Sequence, residues 1–381
     1  MEEIPTDQPH TLTSPSIEEK LNSISSYFTV GPTEYGGRGC FARSAIPKGT
    51  QIHYCTSPVG SSIAKPFRKE VCTYCFNYYN GDSMKTKLTK AITGKKESSP
   101  LYFCSKECLD SFVDQDIDDI LLTNLLLVEQ NYSTGLKKPE VDALEPVGNL
   151  DKQIDREWER VDQWAARMDS TRGSKRINFL PRIDESEYLE IKYIVNVLFN
   201  KFKLMRQHDN ENDQGVSLGM EMFLFDLLQS TEREKYHKYP YLLFSYMNIF
   251  KFIKLTCTAE LQQFITTDSI RDLIGKNLSN AFGIWSNTTS KDEDKEFLGF
   301  SVYPSASFFN HSCAPNIIKI RIRNDMRFET LRDIAPGEEL CINYGNFQNE
   351  NVDKRQLELQ EWFFNCGCTK CQMELDSYVK S

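Results

Sequence analysis

Apolar residues in the middle of the chain recur with the period of an amphipathic helix. Members of each stripe lie three, four or seven positions apart, which places them along one side of a helix. Asp268 precedes the last stripe and is a candidate N-cap, because its carboxylate can accept a backbone hydrogen bond. We interpret three stripes as faces buried in the core: Ile191, Ile194, Val195, Leu198 and Phe202; Leu242, Tyr246, Ile249, Phe250 and Ile253; Ile270, Leu273, Ile274 and Leu278.

Short apolar runs separated by turn residues flank this helical region on both sides. Before it, strand-like pieces surround the glycine-rich turn Gly36-Gly37-Arg38-Gly39. A further helix is predicted over residues 353–363. Strands and helices thus form separate blocks along the chain, which is typical of an α+β fold. After the helical region, four runs are predicted to be strands: residues 300–303, 317–322, 328–331 and 340–343.

The charge and hydropathy of the chain narrow the classes of protein to which it can belong. Its 381 residues carry a net charge of −9, which argues against extended binding to a nucleic-acid backbone. The most apolar run, residues 241–257, contains two lysines and is too short and too polar to cross a membrane. The first 20 residues lack the features of a signal peptide. We therefore expect an intracellular protein, in the nucleus or the cytoplasm or both, with no membrane partner.

Twelve cysteines favour metal binding over disulfides in such an intracellular chain. Seven of them lie in clusters whose spacing suits metal ligands. The other five stand alone in the sequence, and isolated cysteines are usually small buried side chains. The clusters are a CxxC at Cys72 and Cys75, a CxxxC at Cys104 and Cys108, and a CxCxxC at Cys366, Cys368 and Cys371.

The string Asn310-His311-Ser312-Cys313-Ala314-Pro315-Asn316 carries the most chemical information. Taken alone, it predicts a polar turn that presents amide and imidazole groups to a ligand, or a buried hydrogen-bonded turn. It resembles the NHSCxPN signature of the SET-domain methyltransferases. Further strings of that family occur in the expected order: Gly37–Ala42 with a GxG, Ile46-Pro47-Lys48-Gly49, residues 337–345 with GEEL-x-x-x-Y, and residues 362–371 as a post-SET tail.

Two further pieces point to the MYND-containing branch of this family, which comprises the SMYD-like proteins and their fungal relatives. They are Asn280-Ala281-Phe282 and Tyr303-Pro304. The resemblance covers roughly residues 27–374 and implies a SET-domain β-fold, with small sheets and a pseudoknot. A degenerate MYND zinc finger and an α-helical insert would split this fold, and a post-SET zinc tail would follow it.

The resemblance also implies an order of domains along the chain. We expect the insertions to separate the two halves of the SET fold, so that the catalytic core would be assembled from both. The implied domains are a disordered tail (1–24), the SET N-terminal part (25–64), a single-zinc MYND-like finger (65–115), an α-helical insert (116–275), the SET C-terminal core (276–346), the post-SET region (347–376) and a tail (377–381).

The activity implied by the resemblance is methyl transfer from S-adenosylmethionine to the ε-amine of a lysine in a histone or another protein. Tyr344 would be the catalytic residue that orients the amine. Phe364 and Tyr303 are candidates for aromatic walls around a methylated cation; the alternative for each is an ordinary aromatic residue of the core. The implied cofactor-binding residues are Gly37, Arg38, Gly39, Cys40, Asn280, Asn310, His311, Tyr344 and Phe364.

The same resemblance completes two zinc sites. In the family the cysteine of NHSC joins the post-SET cluster, so Cys313 would be its fourth ligand. Each site would then have the four thiolates that tetrahedral zinc requires, and two zinc ions per chain are expected. A full MYND finger binds two zinc ions in a cross-brace, and this chain keeps the ligands for one. The finger would therefore bind zinc through Cys72, Cys75, Cys104 and Cys108, and the post-SET site through Cys313, Cys366, Cys368 and Cys371.

Two functional alternatives follow from the sequence. The first is an active protein-lysine methyltransferase, favoured because Tyr344, Asn310 and His311 are present. The second is a catalytically inactive SET fold that serves as a zinc-stabilised interaction module. Methyl transfer to nucleic acid has little support in an acidic chain without an evident base-stacking module. We expect a monomer whose partner is a lysine-bearing protein substrate.

Overall fold

The fold was analysed on a computed structural model of the chain. The structure describes residues 16–56, 58–91, 99–132, 135, 149–206, 216–286, 295–345, 347 and 349–379. Residues 1–15 of the predicted N-terminal tail and residues 380–381 of the predicted C-terminal tail lie outside this part. No helix of the described residues is both long enough and apolar enough to cross a membrane.

Within the described residues, short strands on both sides of the helical region form four small sheets. The strands are β1 Phe28–Pro32, β2 Arg38–Ala42, β3 Gln51–Cys55, β4 Gly60–Ile63, β5 Thr86–Leu88, β6 Leu101–Phe103, β7 Ala281–Trp285, β8 Phe297–Val302, β9 Asn310–His311, β10 Ile317–Ile322, β11 Asp325–Thr330 and β12 Glu339–Ile342. The orders of the sheets are β1-β2-β12-β9, β10-β11-β3, β4-β8-β7 and β5-β6. Three of the four sheets therefore combine strands from both sides of the helical region.

Helices fill the middle of the chain and its C-terminal end. They are α1 Ile17–Asn22, α2 Lys106–Gln115, α3 Ile120–Asn131, α4 Leu150–Asp169, α5 Gly173–Arg176, α6 Glu185–Arg206, α7 Leu218–Asp226, α8 Glu232–Lys238, α9 Leu242–Thr256, α10 Ala259–Gln262, α11 Thr267–Asn280, α12 Val352–Leu359 and α13 Thr369–Val379. Single 3₁₀ turns occur at Lys65–Phe67, Ile177–Phe179, Pro304–Ala306 and Gln360–Trp362. The α+β class predicted from the sequence, with small sheets, is confirmed.

The three apolar stripes lie on α6, α9 and α11, and their residues are buried or nearly so. Helix α6 packs directly on the edge strand β4. There the side-chain amides of Asn196 and Asn200 donate to the backbone carbonyls of Ser61 and Val59 at 3.2 and 2.8 Å. These bonds satisfy carbonyl groups that a sheet edge would otherwise leave unpaired. The helical insert and the sheets therefore share one continuous core.

The N-cap predicted for α11 is wrong. Thr266 caps this helix: its hydroxyl accepts a hydrogen bond from the amide of Ser269 at 3.1 Å, and the Ser269 hydroxyl accepts one from the amide of Thr266. This reciprocal capping box satisfies two backbone donors at once. Asp268 instead lies in the first turn, where its negative charge complements the helix dipole.

One other region differs from the sequence expectations. Residues 17–22 of the predicted disordered tail form α1, because Ser16 and Glu19 make a capping box and Leu21 is buried. Within the predicted finger, β5 pairs with β6 in an antiparallel hairpin. The proposed domain boundaries stay predictions.

Candidate active site and metal centres

The two most informative strings meet on one pair of strands. Strand β9 runs parallel to β12, with Asn310 opposite Cys341 and His311 opposite Ile342. Strand β12 also pairs antiparallel with β2 through Leu340 and Cys40. These two pairings thus bring the NHSC string, the GEEL string and the GxG loop onto neighbouring strands of a single sheet.

A cleft of about 1550 Å³ opens beside this sheet. Its wall includes the loop after β1, the end of α11, the β9 strand and the segment after α12. Seven of the nine predicted cofactor-binding residues line it: Gly37, Arg38, Asn280, Asn310, His311, Tyr344 and Phe364. Gly39 and Cys40 do not line it. Cys40 is completely buried in the core beneath the cleft, and burial raises the pKa of its thiol.

Asn310 is fixed by groups from two other strands. Its side-chain nitrogen donates to the carbonyl of Arg38 at 3.1 Å and to the carboxylate of Glu339 at 2.9 Å. Gly39 makes room for this arrangement: a Cβ built there would lie 2.5 Å from the Glu339 carboxylate and 2.8 Å from the Asn310 nitrogen. Gly37 is needed for a different reason, since its φ of +71° is a conformation that favours glycine. The first glycine therefore shapes the loop, and the second lets Asn310 approach.

Asn316, the last residue of the same string, was given no role in the sequence analysis. Its buried side chain accepts a hydrogen bond from the amide of Cys341 at 2.8 Å and donates to the carbonyl of Glu339 at 2.8 Å. It also donates to the carboxylate of Glu338 at 2.9 Å. One side chain thus clamps the turn after β9 to strand β12. Its position at the end of the string was the signal that could have identified it.

Tyr344 lies at the end of β12, where its hydroxyl and backbone are both held. The hydroxyl donates to the carbonyl of Phe309 at 3.3 Å. Burial raises the pKa of the phenol well above its usual range, so the hydroxyl keeps its proton at neutral pH. The Tyr344 ring is edge-on to His311 at 5.3 Å and to Phe364 at 6.2 Å between ring centroids.

His311 connects Tyr344 with the C-terminal cysteine cluster. Its Nδ1 accepts a hydrogen bond from the backbone amide of Tyr344 at 3.1 Å, and its Nε2 lies 3.3 Å from the sulfur of Cys313. Because Nδ1 accepts, the ring proton belongs on Nε2, which then donates to the sulfur. Burial lowers the pKa of His311 to about 4, in agreement with a neutral ring.

Arg38 and Asn280 are both held by the segment that follows α7. The Arg38 guanidinium is exposed and donates to the carbonyl of Leu227 at 3.4 Å. The Asn280 amide nitrogen donates to the carbonyls of Lys276 at 2.8 Å and Gln229 at 3.1 Å. Both residues are therefore held by the helical insert, which closes this side of the cleft.

The aromatic lining of the cleft differs in part from the prediction. Phe364 is half-buried and lines the cleft, as does the neighbouring Trp362, which the sequence analysis did not single out. The Trp362 ring lies 5.9 Å from that of Tyr344. Tyr303 does not line the cleft: it is completely buried, and its hydroxyl donates to the carbonyl of Asn324 at 2.7 Å. Tyr303 is a core residue, with its ring edge-on to that of Phe282 at 5.8 Å.

The four cysteines predicted for the post-SET site come together although they are distant in sequence. Their four sulfur atoms all lie within 4.8 Å of one another. The sulfur of Cys313 is 3.9 Å from that of Cys366 and 3.6 Å from that of Cys371. Tetrahedral zinc with Zn–S bonds of about 2.3 Å requires sulfur atoms about 3.8 Å apart. This quartet fits zinc, and it ties the C-terminal segment to the turn after β9.

The four cysteines of the finger form a second quartet of the same kind. Cys72 and Cys75 lie in a turn, Cys104 follows β6, and Cys108 is in the first turn of α2. The sulfur of Cys104 is 3.5 Å from that of Cys75 and 3.4 Å from that of Cys108. All twelve cysteines are free, so neither quartet contains a disulfide. Among the residues that the structure describes, these two groups are the ones able to hold a metal ion.

Each quartet receives a hydrogen bond from an arginine that no sequence motif marks. Arg323, in the turn between β10 and β11, donates to the sulfur of Cys108 at 3.1 Å. Arg355 on α12 is completely buried and donates to the sulfur of Cys371 at 3.3 Å. A zinc ion with four thiolates has a net charge of −2, so both arginines oppose excess negative charge. No local pattern marks either arginine, because both contacts are made across the fold.

Comparison with known proteins agrees with this arrangement. A potential protein lysine methyltransferase SET6 of Saccharomyces cerevisiae is 33% identical over 386 residues, which cover 95% of this chain and 99% of that protein. A SET domain-containing protein of Dictyostelium discoideum is 24% identical over 83% of this chain and 75% of its own length. The N-lysine methyltransferase SMYD2 of Gallus gallus is 30% identical over 23% of this chain and 20% of that protein. The family model described as SET domain matches residues 37–345. The chain therefore belongs to the SET domain family.

Proposed function

We propose that this chain is a protein-lysine methyltransferase that uses S-adenosylmethionine. The observation that carries the proposal is the meeting of Asn310, His311 and Tyr344 at one cleft, on a parallel pair of strands. Membership of the family and the names of the relatives support lysine methylation in general. The cofactor, the acceptor and the roles of individual residues are the proposal.

S-adenosylmethionine, when bound, supplies a methyl group on a sulfonium, which an amine can displace in line. The residues proposed to hold it fit a cofactor with an amino-acid end and an aromatic base. Asn280 offers an amide and Arg38 a cationic guanidinium. Asn310 and His311 offer side-chain and backbone polar groups on β9, and Phe364 offers an aromatic face. The half-buried aromatic lining also excludes water, which would otherwise compete with the aligned reactants.

Tyr344 is proposed to position the acceptor amine. Its hydroxyl donates to the carbonyl of Phe309, and the raised pKa of the phenol keeps that proton in place. The lone pairs of the oxygen then remain able to accept a hydrogen bond from an amine N–H. A lysine amine is usually protonated, with a pKa of about 10.4, and apolar surroundings favour the neutral form that reacts.

The two zinc ions are proposed to act structurally. Each quartet offers four thiolates, so no coordination position of the zinc would be left for water or substrate. This is typical of a structural rather than a catalytic site. The C-terminal zinc would hold Phe364 and Trp362 beside the cleft. It would also fix Cys313, whose sulfur accepts the hydrogen bond from His311. Metal analysis of purified protein is expected to find two zinc ions per chain.

Calorimetric titration of S-adenosylmethionine into zinc-loaded protein tests the proposal. Saturable binding is expected, and the variant Asn310→Ala should weaken it strongly. The variant Tyr344→Phe should bind the cofactor but lose transfer of labelled methyl groups to protein lysines. If the folded, zinc-loaded protein does not bind the cofactor, the interaction-module alternative is favoured; if Tyr344→Phe transfers methyl groups normally, its catalytic role is refuted.

A further inference from the structure

Lys319 is a lysine on the inward face of β10. It lies opposite Phe328 in the antiparallel pair of β10 with β11, and side chains of directly paired residues project to the same face. Phe328 is completely buried, as is Ile317, two positions before Lys319. This pairing therefore places the side chain of Lys319 on the face of β10 that carries Phe328, and Lys319 is half-buried there.

The amine of Lys319 lies against the proposed catalytic tyrosine. Its nitrogen donates to the backbone carbonyl of Tyr344 at 3.3 Å and lies 5.6 Å from the centroid of the Phe282 ring. Phe328, its cross-strand partner, stacks on Phe309 at 4.9 Å, and the carbonyl of Phe309 accepts the hydroxyl of Tyr344. The amine of Lys319 therefore contacts both the ring of Phe282 and the backbone of Tyr344.

A buried lysine that serves the fold alone is usually paired with a carboxylate. Lys192 shows this pattern: it is buried, and its amine lies 3.5 Å from the carboxylate of Glu129. Over the part of the chain that the structure describes, no carboxylate forms an ion pair with Lys319. Burial lowers the pKa of Lys319 to about 8, so a substantial fraction of the amine is neutral at slightly alkaline pH.

We propose that Lys319 is a methyl acceptor of its own chain, modified at the site of Tyr344. The inference rests on the proposed function. The lone pair of the neutral amine forms a bond with the methyl carbon of S-adenosylmethionine while the bond from sulfur to that carbon breaks. The sulfur keeps the electron pair and leaves as a thioether, and the excess proton on nitrogen passes to water. The methylated cation then lies over the face of Phe282, an arrangement that cation–π attraction stabilises.

Mass spectrometry of the full zinc-loaded chain tests this modification. The protein is incubated with S-adenosylmethionine carrying an isotopically labelled methyl group, digested with chymotrypsin and mapped. Label is expected on Lys319 and not on Lys192, with a rate constant that does not change on dilution, because the reaction is intramolecular. The variant Tyr344→Phe should lose the label, and Lys319→Met should lose it while still binding the cofactor in the calorimeter.

Two outcomes separate this inference from the proposed function. Absence of cofactor binding overturns both. Binding of the cofactor with no label on Lys319, or a labelling rate that rises in proportion to protein concentration, overturns the inference alone. Methylation of other proteins by the same preparation would leave the proposed function intact in that case.

A second measurement does not depend on activity. Competitive acetylation of the protein over a range of pH, without cofactor, reports the titration of each lysine by mass spectrometry. Lys319 is expected to titrate near pH 8, well below the lysines at the surface. If it titrates together with the surface lysines, the amine is not held beside Tyr344 in the way proposed, and the inference is wrong.

Discussion

Replacement of Arg355 by methionine should loosen the C-terminal zinc without removing any of its ligands. Arg355 is completely buried and donates to the sulfur of Cys371 at 3.3 Å. It is also close enough to bond the sulfur of Cys313, and it pairs with the carboxylate of Glu374 at 3.0 Å. Methionine has a similar length and no charge, so the substitution removes the donor and leaves much of the packing.

The size of the effect follows from the charge of the site. A hydrogen bond to a charged group contributes about 1.5–3 kcal/mol, and loss of a group that supports a metal ligand typically lowers metal affinity about 10- to 100-fold. Arg355→Met is therefore expected to lower zinc affinity within that range. Arg355→Lys keeps the charge but not the forked donor. Its zinc affinity should therefore lie between those of Arg355→Met and the wild type.

Competition with a chromogenic chelator measures the affinity, and native mass spectrometry counts the zinc ions that remain. The matched control is Arg323→Met, which removes the arginine of the other quartet. Arg323 is exposed, so water can replace its guanidinium, and a smaller loss is expected there. If Arg355→Met melts at lower temperature but retains its zinc as firmly as the wild type, then Arg355 supports packing and not the metal.

Three other perturbations have expected outcomes. Burial raises the pKa of Glu190 to about 8, above an unfolded value of about 4.3, so the folded state loses up to about 5 kcal/mol as pH rises between them. Glu190→Gln, which can bond Asn277 as the protonated acid would, should melt higher than the wild type at pH 8.5 and show a flatter pH profile; an unchanged profile would mean that Glu190 is ionised. Gly39→Ala should weaken cofactor binding with little loss of zinc, because the added Cβ displaces Asn310 and Glu339. Normal binding in the calorimeter would instead mean that the strands accommodate the added Cβ. Removal of zinc by a chelator should abolish cofactor binding as well, and binding that persists in the metal-free protein would contradict the link between the zinc and the cleft.

The sequence could predict the fold because its patterns are local. The period of the stripes on α6, α9 and α11 reflects contacts that each helix makes with the core. The choice of N-cap for α11 could not be made in this way. Thr266 and Asp268 are both good capping residues two positions apart, and the reciprocal bond with Ser269 decides between them.

The site could be predicted as far as its motifs extend. The strings around Asn310 and Tyr344 contain the residues of the cleft, and the cysteine spacing contains both quartets. Arg323 and Arg355 were not predictable, because Arg323 reaches a cysteine in a distant segment and Arg355 a cysteine on another helix. Tyr303 was assigned two possible places, and the long-range bond of its hydroxyl to the carbonyl of Asn324 shows it to be in the core.

Because the helical insert interrupts the sheets, strands that pair in the folded protein are synthesised far apart in time. Cys40 and Leu340 are paired in the sheet, yet at about 5–20 residues per second a ribosome makes them roughly 15 to 60 seconds apart. Strand β4 likewise waits for β8, from which roughly 240 residues separate it. The helices between them can associate meanwhile, and β1 can pair with β2, whereas β3 and β4 have no strand partner until β11 and β8 are made. A nascent chain of this design therefore depends on protection of its early strands, a demand that an uninterrupted catalytic core would not make.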